Sequence, residues 1–225
     1  LTTCKAKKNI CFNERGIYGA FFNEKYNKIF AGNGNGTLFV LNDSLRLITQ
    51  KQFADGPVAT CISSADNEYM INTSGDGTRY IWKVSVDSIA LYYKNKTHSA
   101  ASMTCLFSPK MKYAVSTGHD STVVVLDWKN KSIIKRLYAA TGTVRFAWFS
   151  YDDKYLFWAD DNGFLYKTET ETWKTFKKRI SPNAVNCIVS DMNNLEIVVS
   201  SDDNNVYVLN FLNLKIIQII KAHKG

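Results

Sequence analysis

Apolar and polar residues alternate in short runs along almost the whole chain, and the runs come in groups of four. One such run is Met103-Thr104-Cys105-Leu106-Phe107, followed by the polar turn Ser108-Pro109-Lys110-Met111-Lys112 and a second run, Tyr113 to Thr117. A turn containing Asp120 leads to a third run, Thr122 to Asp127, and a Lys/Asn turn to a fourth, Ser132 to Tyr138. Alternation with a period of two marks strands, and a helical period is almost absent. The pattern predicts four antiparallel strands joined by short loops, repeated along the chain. The matching first strands are expected at Ile17 to Phe22, Val58 to Ile62, Val144 to Phe149 and Val185 to Val189. The matching fourth strands are expected at Leu45 to Phe53, Ser88 to Tyr93, Thr172 to Ile180 and Lys215 to Lys221.

The turn between second and third strands repeats most clearly. Ser74 to Trp82 reads Ser-Gly-Asp-Gly-Thr-Arg-Tyr-Ile-Trp, and softened versions stand at Gly32 to Leu41, Thr117 to Leu126, Ala159 to Lys167 and Ser201 to Leu209. Anchored on Asn35, Asp76, Asp120, Asp161 and Asp203, the spacing is a period of roughly 40–45 residues with several strands per unit, which is the signature of a propeller blade. The expected fold is all-β, with units at residues 13–53, 54–97, 98–138, 139–180 and 181–221. Residues 1–12 read as a lone outer strand and 222–225 as the opening of a further repeat.

These residues resemble the WD-repeat β-propeller family over nearly the whole chain. Thr97-His98, Phe107-Ser108-Pro109 and Asp120 stand in the family's order in the third unit, and Asp76 and Trp82 in the second. The resemblance implies structural hydrogen-bond chains within blades, one including Ser74, Asp76 and Trp82 and another joining His98 to Asp120. Ala54 or Gly56 replaces the His of the second unit and Leu126 the Trp of the third, so the repeats are degenerate. Family members mostly close with about seven blades, within a general range of 4–8. The resemblance therefore implies that five blades are part of a larger propeller. Val206 to Lys215 and Ala222-His223-Lys224-Gly225 are also similar to segments of the phosphoinositide-binding propellers of autophagy. The Phe-Arg-Arg-Gly lipid motif of that group is absent, and Phe176-Lys177-Lys178-Arg179 does not replace it.

Composition adds limits. The 225 residues are 45% hydrophobic, enough for a sizeable core, and no run approaches the roughly 18 apolar residues of a membrane helix. The five cysteines show no C-x-x-C spacing, which favours a reducing compartment. Cys61, Cys105 and Cys187 share one repeat slot with Ala20 and Ala147, so that slot reads as a small-volume packing site. Asp152-Asp153, Asp160-Asp161 and Asp202-Asp203 lie in expected hairpin turns, where Asp bonds nearby backbone. Gly32-Asn33-Gly34-Asn35-Gly36-Thr37 precedes a strand, whereas a phosphate cradle opens a helix. No catalytic, cofactor or metal residue is expected, and the chain does not read as an enzyme.

Net charge is +8, with clusters at Lys5-Lys7-Lys8, at Lys129, Lys131, Lys135 and Arg136, and at Lys174, Lys177, Lys178 and Arg179. Cations on outermost strands block sheet-to-sheet pairing; the other reading is a patch for RNA or anionic lipid. Trp158, beside the acidic turn, and Trp148, on a first strand, are candidate partner contacts, because exposed aromatics are common hot spots. The resulting expectation is a non-catalytic scaffold contacting other protein subunits in an intracellular complex, cytoplasmic or nuclear. The alternative is a nucleic-acid or phosphoinositide binder using the basic strands.

Overall fold

The computed structural model describes residues 16–139, 142–193 and 195–223. Every regular element among them is a strand. The first sheet holds β1 (Ile17–Asn23), β2 (Lys28–Asn33), β3 (Thr37–Asn42) and β4 (Leu47–Gln52). The second holds β5 (Val58–Ser63), β6 (Tyr69–Ser74), β7 (Thr78–Val84) and β8 (Ile89–Lys96). The third holds β9 (Ser102–Phe107), β10 (Ala114–Gly118), β11 (Thr122–Asp127) and β12 (Ser132–Tyr138). The fourth holds β13 (Val144–Phe149), β14 (Tyr155–Asp160), β15 (Phe164–Glu169) and β16 (Thr175–Arg179). The fifth holds β17 (Val185–Ser190), β18 (Glu196–Ser201), β19 (Asn205–Asn210) and β20 (Ile216–Lys221). Each is a four-stranded antiparallel meander in sequence order, and so a propeller blade.

Burial explains the residue choice. The middle strands are covered on both faces, so they read as near-continuous apolar runs such as Val123-Val124-Val125-Leu126, each 0% exposed. Alternate side chains face opposite neighbours. Val123 and Val125 join Val144, Phe149, Leu156 and Trp158 of the fourth blade, while Leu126 turns back to Ile71 and Ile81 of the second. Phe157, Ala159 and Leu165 pack on Ile197, Val199 and Leu209, and Phe30, Leu38 and Val40 on Met70, Tyr80 and Trp82. Successive blades are thus fused through shared apolar layers, and the outer strands are left mostly exposed.

The repeated turn has one mechanical job. Gly36, Gly77, Ser121, Gly163 and Asn204 all hold a positive φ, and the carbonyl of each receives the chain leaving its own outer strand. Gly77 O accepts from Thr97 N (3.0 Å) and His98 N (3.1 Å), and Asn204 O from Ala222 N (3.0 Å) and His223 N (3.3 Å). At Gly163 a Cβ would lie 2.0 Å from Ser181 O, so glycine is needed for space as well as for φ. This registry moves one anchor: the fourth-blade residue matching Asp76 and Asp120 is Asn162, and Asp161 stands one position earlier.

Two other expectations change, and a third lies outside the described residues. The fourth strands are shorter than expected at Leu45 to Phe53 and Thr172 to Ile180, because Leu45 (φ 57) and Trp173 (φ 59) are left-handed turn residues. Neither residue type advertises that conformation. The slot shared by Cys61, Cys105 and Ala147 pairs with Asn72, Ser116 and Trp158. In the fifth blade the residue so placed is Ile188, opposite Val199. Cys187 is one residue short, faces the other way and is exposed. The lone outer strand expected at 1–12, with its Lys5-Lys7-Lys8 cluster, lies outside the described residues, as do Lys224 and Gly225. No helix among the described residues is long and apolar enough to cross a membrane.

Candidate interaction surface

His98 follows β8 and is held in place by the Gly77 carbonyl. Its Nδ1 is 2.9 Å from Asp120 Oδ1 and 3.0 Å from Thr122 Oγ1, and its Nε2 is 2.9 Å from Ser116 Oγ. Asp120 also accepts from Ser99 N at 2.9 Å and Thr122 Oγ1 at 2.7 Å. Burial pushes the His98 imidazole below its ordinary value, and the opposing pull of Asp120 does not restore it. Burial alone would raise Asp120, but hydrogen bonds from His98, Thr122 and Ser99 hold it below the usual carboxylate range. The imidazole is therefore neutral at pH 7, with both nitrogens engaged and its side chain fully covered. It clamps the exit of the second blade onto the third and offers nothing to a substrate.

Arg79 lies in the same seam. It is 0% exposed, and its guanidinium reaches Ser116 Oγ and Val124 O, each at 3.4 Å. Burial lowers it to about 10, so it stays protonated at neutral pH. The matching position in the other blades holds Leu38, Val123, Leu165 and Val206.

The other predicted turn residues fall into separate local bonds. Ser74 Oγ donates to Gly56 O at 3.4 Å, Asp76 Oδ1 accepts from Thr78 N at 2.8 Å, and Trp82 Nε1 donates to Asn72 Oδ1 at 2.7 Å. Asn72, which the sequence did not single out, takes the role expected of Ser74. Asp203 accepts from Ser181 Oγ at 3.1 Å and from the Tyr207 hydroxyl. Ser181 occupies in the fourth-to-fifth seam the place that His98 holds in the second-to-third. In the fourth blade the buried carboxylate next to this turn is Asp160, which accepts from Phe164 N (3.0 Å) and Tyr166 OH (2.9 Å). Asp161 is only half-buried beside it.

Trp158 is not a partner contact. It is 1% exposed, stacks on Tyr166 with ring centroids 3.7 Å apart, and donates to Thr168 Oγ1 at 2.9 Å. Its strand is covered by blades on both sides, so proximity to a polar turn confers no access. Trp148 is half-buried between two apolar layers and donates to Ser190 Oγ at 3.3 Å, tying β13 to β17. The basic strand is mostly exposed, with part of its charge engaged internally. Lys178 Nζ donates to Leu214 O at 2.9 Å, Arg179 to Pro182 O at 3.3 Å, and the Lys177 ammonium sits 5.4 Å from the Phe164 ring centroid. Among the described residues no group of His, Cys, Asp and Glu could hold a metal ion.

Large exposed apolar side chains gather instead at the end of blades four and five opposite the Asp turns. They are Tyr151 (55%), Met192 (70%), Leu195 (64%) and Leu212 (73%), with Phe176 (56%) beside them on β16. A groove of about 350 Å³ runs between Phe176 and Leu212, floored by Tyr155 and Lys167 and edged by Glu169 and Lys174. The turns are rigidly mounted. Buried Lys167 donates to Phe211 O (2.9 Å) and Leu212 O (3.0 Å) and lies 4.2 Å from the Tyr155 ring centroid. Phe211 N donates to Leu195 O at 3.0 Å. Burial lowers the Lys167 ammonium from its ordinary value. The same end of the first three blades is mainly Glu24, Lys25, Asp43, Asp66, Glu68, Lys110 and Lys129, with Val86 the apolar exception.

Residues 91–127, from within β8 to the end of β11, match the family model described as WD domain, G-beta repeat. The chain thus carries a WD repeat. No curated protein sequence matches it. The matched repeat is the one that carries the His98–Asp120 clamp. WD repeats serve in general as protein-interaction scaffolds. The polar networks described above lock blade to blade, and the turns of blades four and five are among the places where large apolar side chains stay exposed.

Proposed function

We propose that this WD-repeat chain is a non-catalytic scaffold that binds a protein subunit through the apolar turns of its fourth and fifth blades, in a multi-subunit assembly inside the cell. The observation that carries this reading is the exposure of Tyr151, Met192, Leu195 and Leu212 at one end of two adjacent blades. Exposed apolar surface on a folded domain marks interaction sites, and the backbone of the turn bearing Leu212 is already held by Lys167, which limits what binding must order. The free state of Cys61, Cys105 and Cys187 accords with a reducing compartment.

The test is affinity purification of the wild-type chain and of a Met192→Asp/Leu212→Asp variant, with partners quantified by mass spectrometry and folding checked by thermal melting. Both positions are exposed, so the melting temperature should hold while a stoichiometric protein partner is lost. Retention of that partner would refute the site. Binding that instead falls steeply with salt, and disappears on charge reversal at Lys174, Lys177, Lys178 and Arg179, would point to nucleic acid or lipid.

A further inference from the structure

The outermost strands of the five blades are not equally protected. β4 carries Lys51, β8 carries Lys94 and Lys96, β12 carries Lys135 and Arg136, and β16 carries Lys177, Lys178 and Arg179. A cation within an edge strand opposes docking of another strand, because its charged head must stay hydrated. β20 has no charge before its last residue. It reads Ile216-Ile217-Gln218-Ile219-Ile220-Lys221, with Ile217, Ile219 and Ile220 at 55%, 54% and 43% exposure. It stands last in its sheet, paired only to β19 among the described strands.

The ends of this strand are basic. Lys215 precedes it, Lys221 closes it, and Lys178 of the neighbouring blade places its ammonium 2.9 Å from Leu214 O, just before the strand begins. The result is an apolar edge somewhat under about 20 Å long, at roughly 3.4 Å per residue, with a register shift against β19 at Ile217 and cations at both ends. We infer that β20 is a docking edge for an extended peptide segment, apolar at alternate positions and acidic near each end, which adds to the fifth blade as another strand. Its backbone pairs with the free edge, its apolar side chains lie against the exposed isoleucines, and its carboxylates meet Lys178 and Lys215 at one end and Lys221 at the other. A second copy of this chain does not fit. Antiparallel pairing of β20 with itself sets Lys221 against Lys215 at both ends, and Asn213 to His223 contains no acidic residue to offset them. The edge is separate from the apolar turns of the proposed partner site and does not depend on that reading.

The experiment titrates the whole chain into a fluorescent nine-residue peptide of alternating valine and threonine with glutamate at each end, read by anisotropy. The same peptide with lysine at each end is the comparison. The acidic peptide should bind about tenfold or more tighter, consistent with two added charge contacts. Ile217→Lys/Ile219→Lys should abolish binding. Because that pair could disturb the sheet, Lys215→Glu/Lys221→Glu is the second variant; both residues are exposed, and the preference should reverse to the lysine-ended peptide with unchanged melting temperature. Equal binding of the two peptides, absence of binding, indifference to the charge swap, or sedimentation showing self-association through β20 would each overturn the inference.

Discussion

Replacing His98 with alanine tests whether the clamp between the second and third blades holds them as the geometry implies. The change removes contacts at 2.9, 3.0 and 2.9 Å and leaves Asp120 and Ser116 short of a partner in a covered seam. A hydrogen bond to a charged group contributes about 1.5–3 kcal/mol, and a buried group left unsatisfied costs about 1–3 kcal/mol. Asp120 keeps Ser99 N and Thr122, and Ser116 keeps long contacts to Thr97 at 3.5 Å and Arg79 at 3.4 Å, so the loss should be about 2–4 kcal/mol rather than the full sum. Repeat arrays unfold in pieces, which makes hydrogen exchange at Thr97 to Ser99 and across β10 a better assay than one global midpoint. On a scale where 1.4 kcal/mol is tenfold, exchange there should accelerate on the order of a hundredfold. A double-mutant cycle with Asp120→Asn should return a coupling of about 1–3 kcal/mol. His119→Ala is the internal control: that ring makes one exposed contact, to Thr143 Oγ1 at 3.1 Å, and its loss should cost under about 0.5 kcal/mol. If His98→Ala resembles the His119 control, or the cycle is additive, the clamp is not what joins these blades.

The same seam should be acid-sensitive. Because burial lowers the folded-state His98 value from 6.5, the unfolded chain takes up a proton first as pH falls through about 6.5, and stability declines from there downward. Asp120, also lowered when folded, adds a second loss at more acid pH. Melting curves from pH 8 to 4 should show the first step in wild type but not in His98→Asn. Arg79→Leu, which copies Leu38 of the first blade, should be neutral or stabilising by about 1–4 kcal/mol, since a buried cation without a carboxylate partner gives way to packing; a lower melting temperature would contradict that. Gly163→Ala puts a Cβ 2.0 Å from Ser181 O at φ +81, and should cost upward of about 1–3 kcal/mol, read as lost exchange protection at Ile180 and Ser181.

The blade pattern was legible in the residues because its signals are local. Alternation over five or six positions, an Asp or Asn beside a Gly, and a recurrence near 42 residues follow from strand pleat and turn stereochemistry within single hairpins. The left-handed turns at Leu45 and Trp173 carry no such mark, and there the strand ends were misplaced. Which face each strand presents was set by its neighbours in the adjacent blades. Cys187 reads like Cys61 and Cys105, yet it stands two residues after Val185 where Cys61 stands three after Val58, and one residue in a strand exchanges the two faces. Trp158 sits next to a polar turn but is enclosed by the blades on either side. His98 and Asp120 could be matched from their order alone, whereas Arg79, Asn72 and the exposed Met192 and Leu212 could not. The sequence by itself determined the number of strands per unit and the position of most turns, through rules that act within a hairpin. Tertiary structure decided what is buried and what is left for a partner, because burial depends on which blades lie against each strand and not on the strand alone.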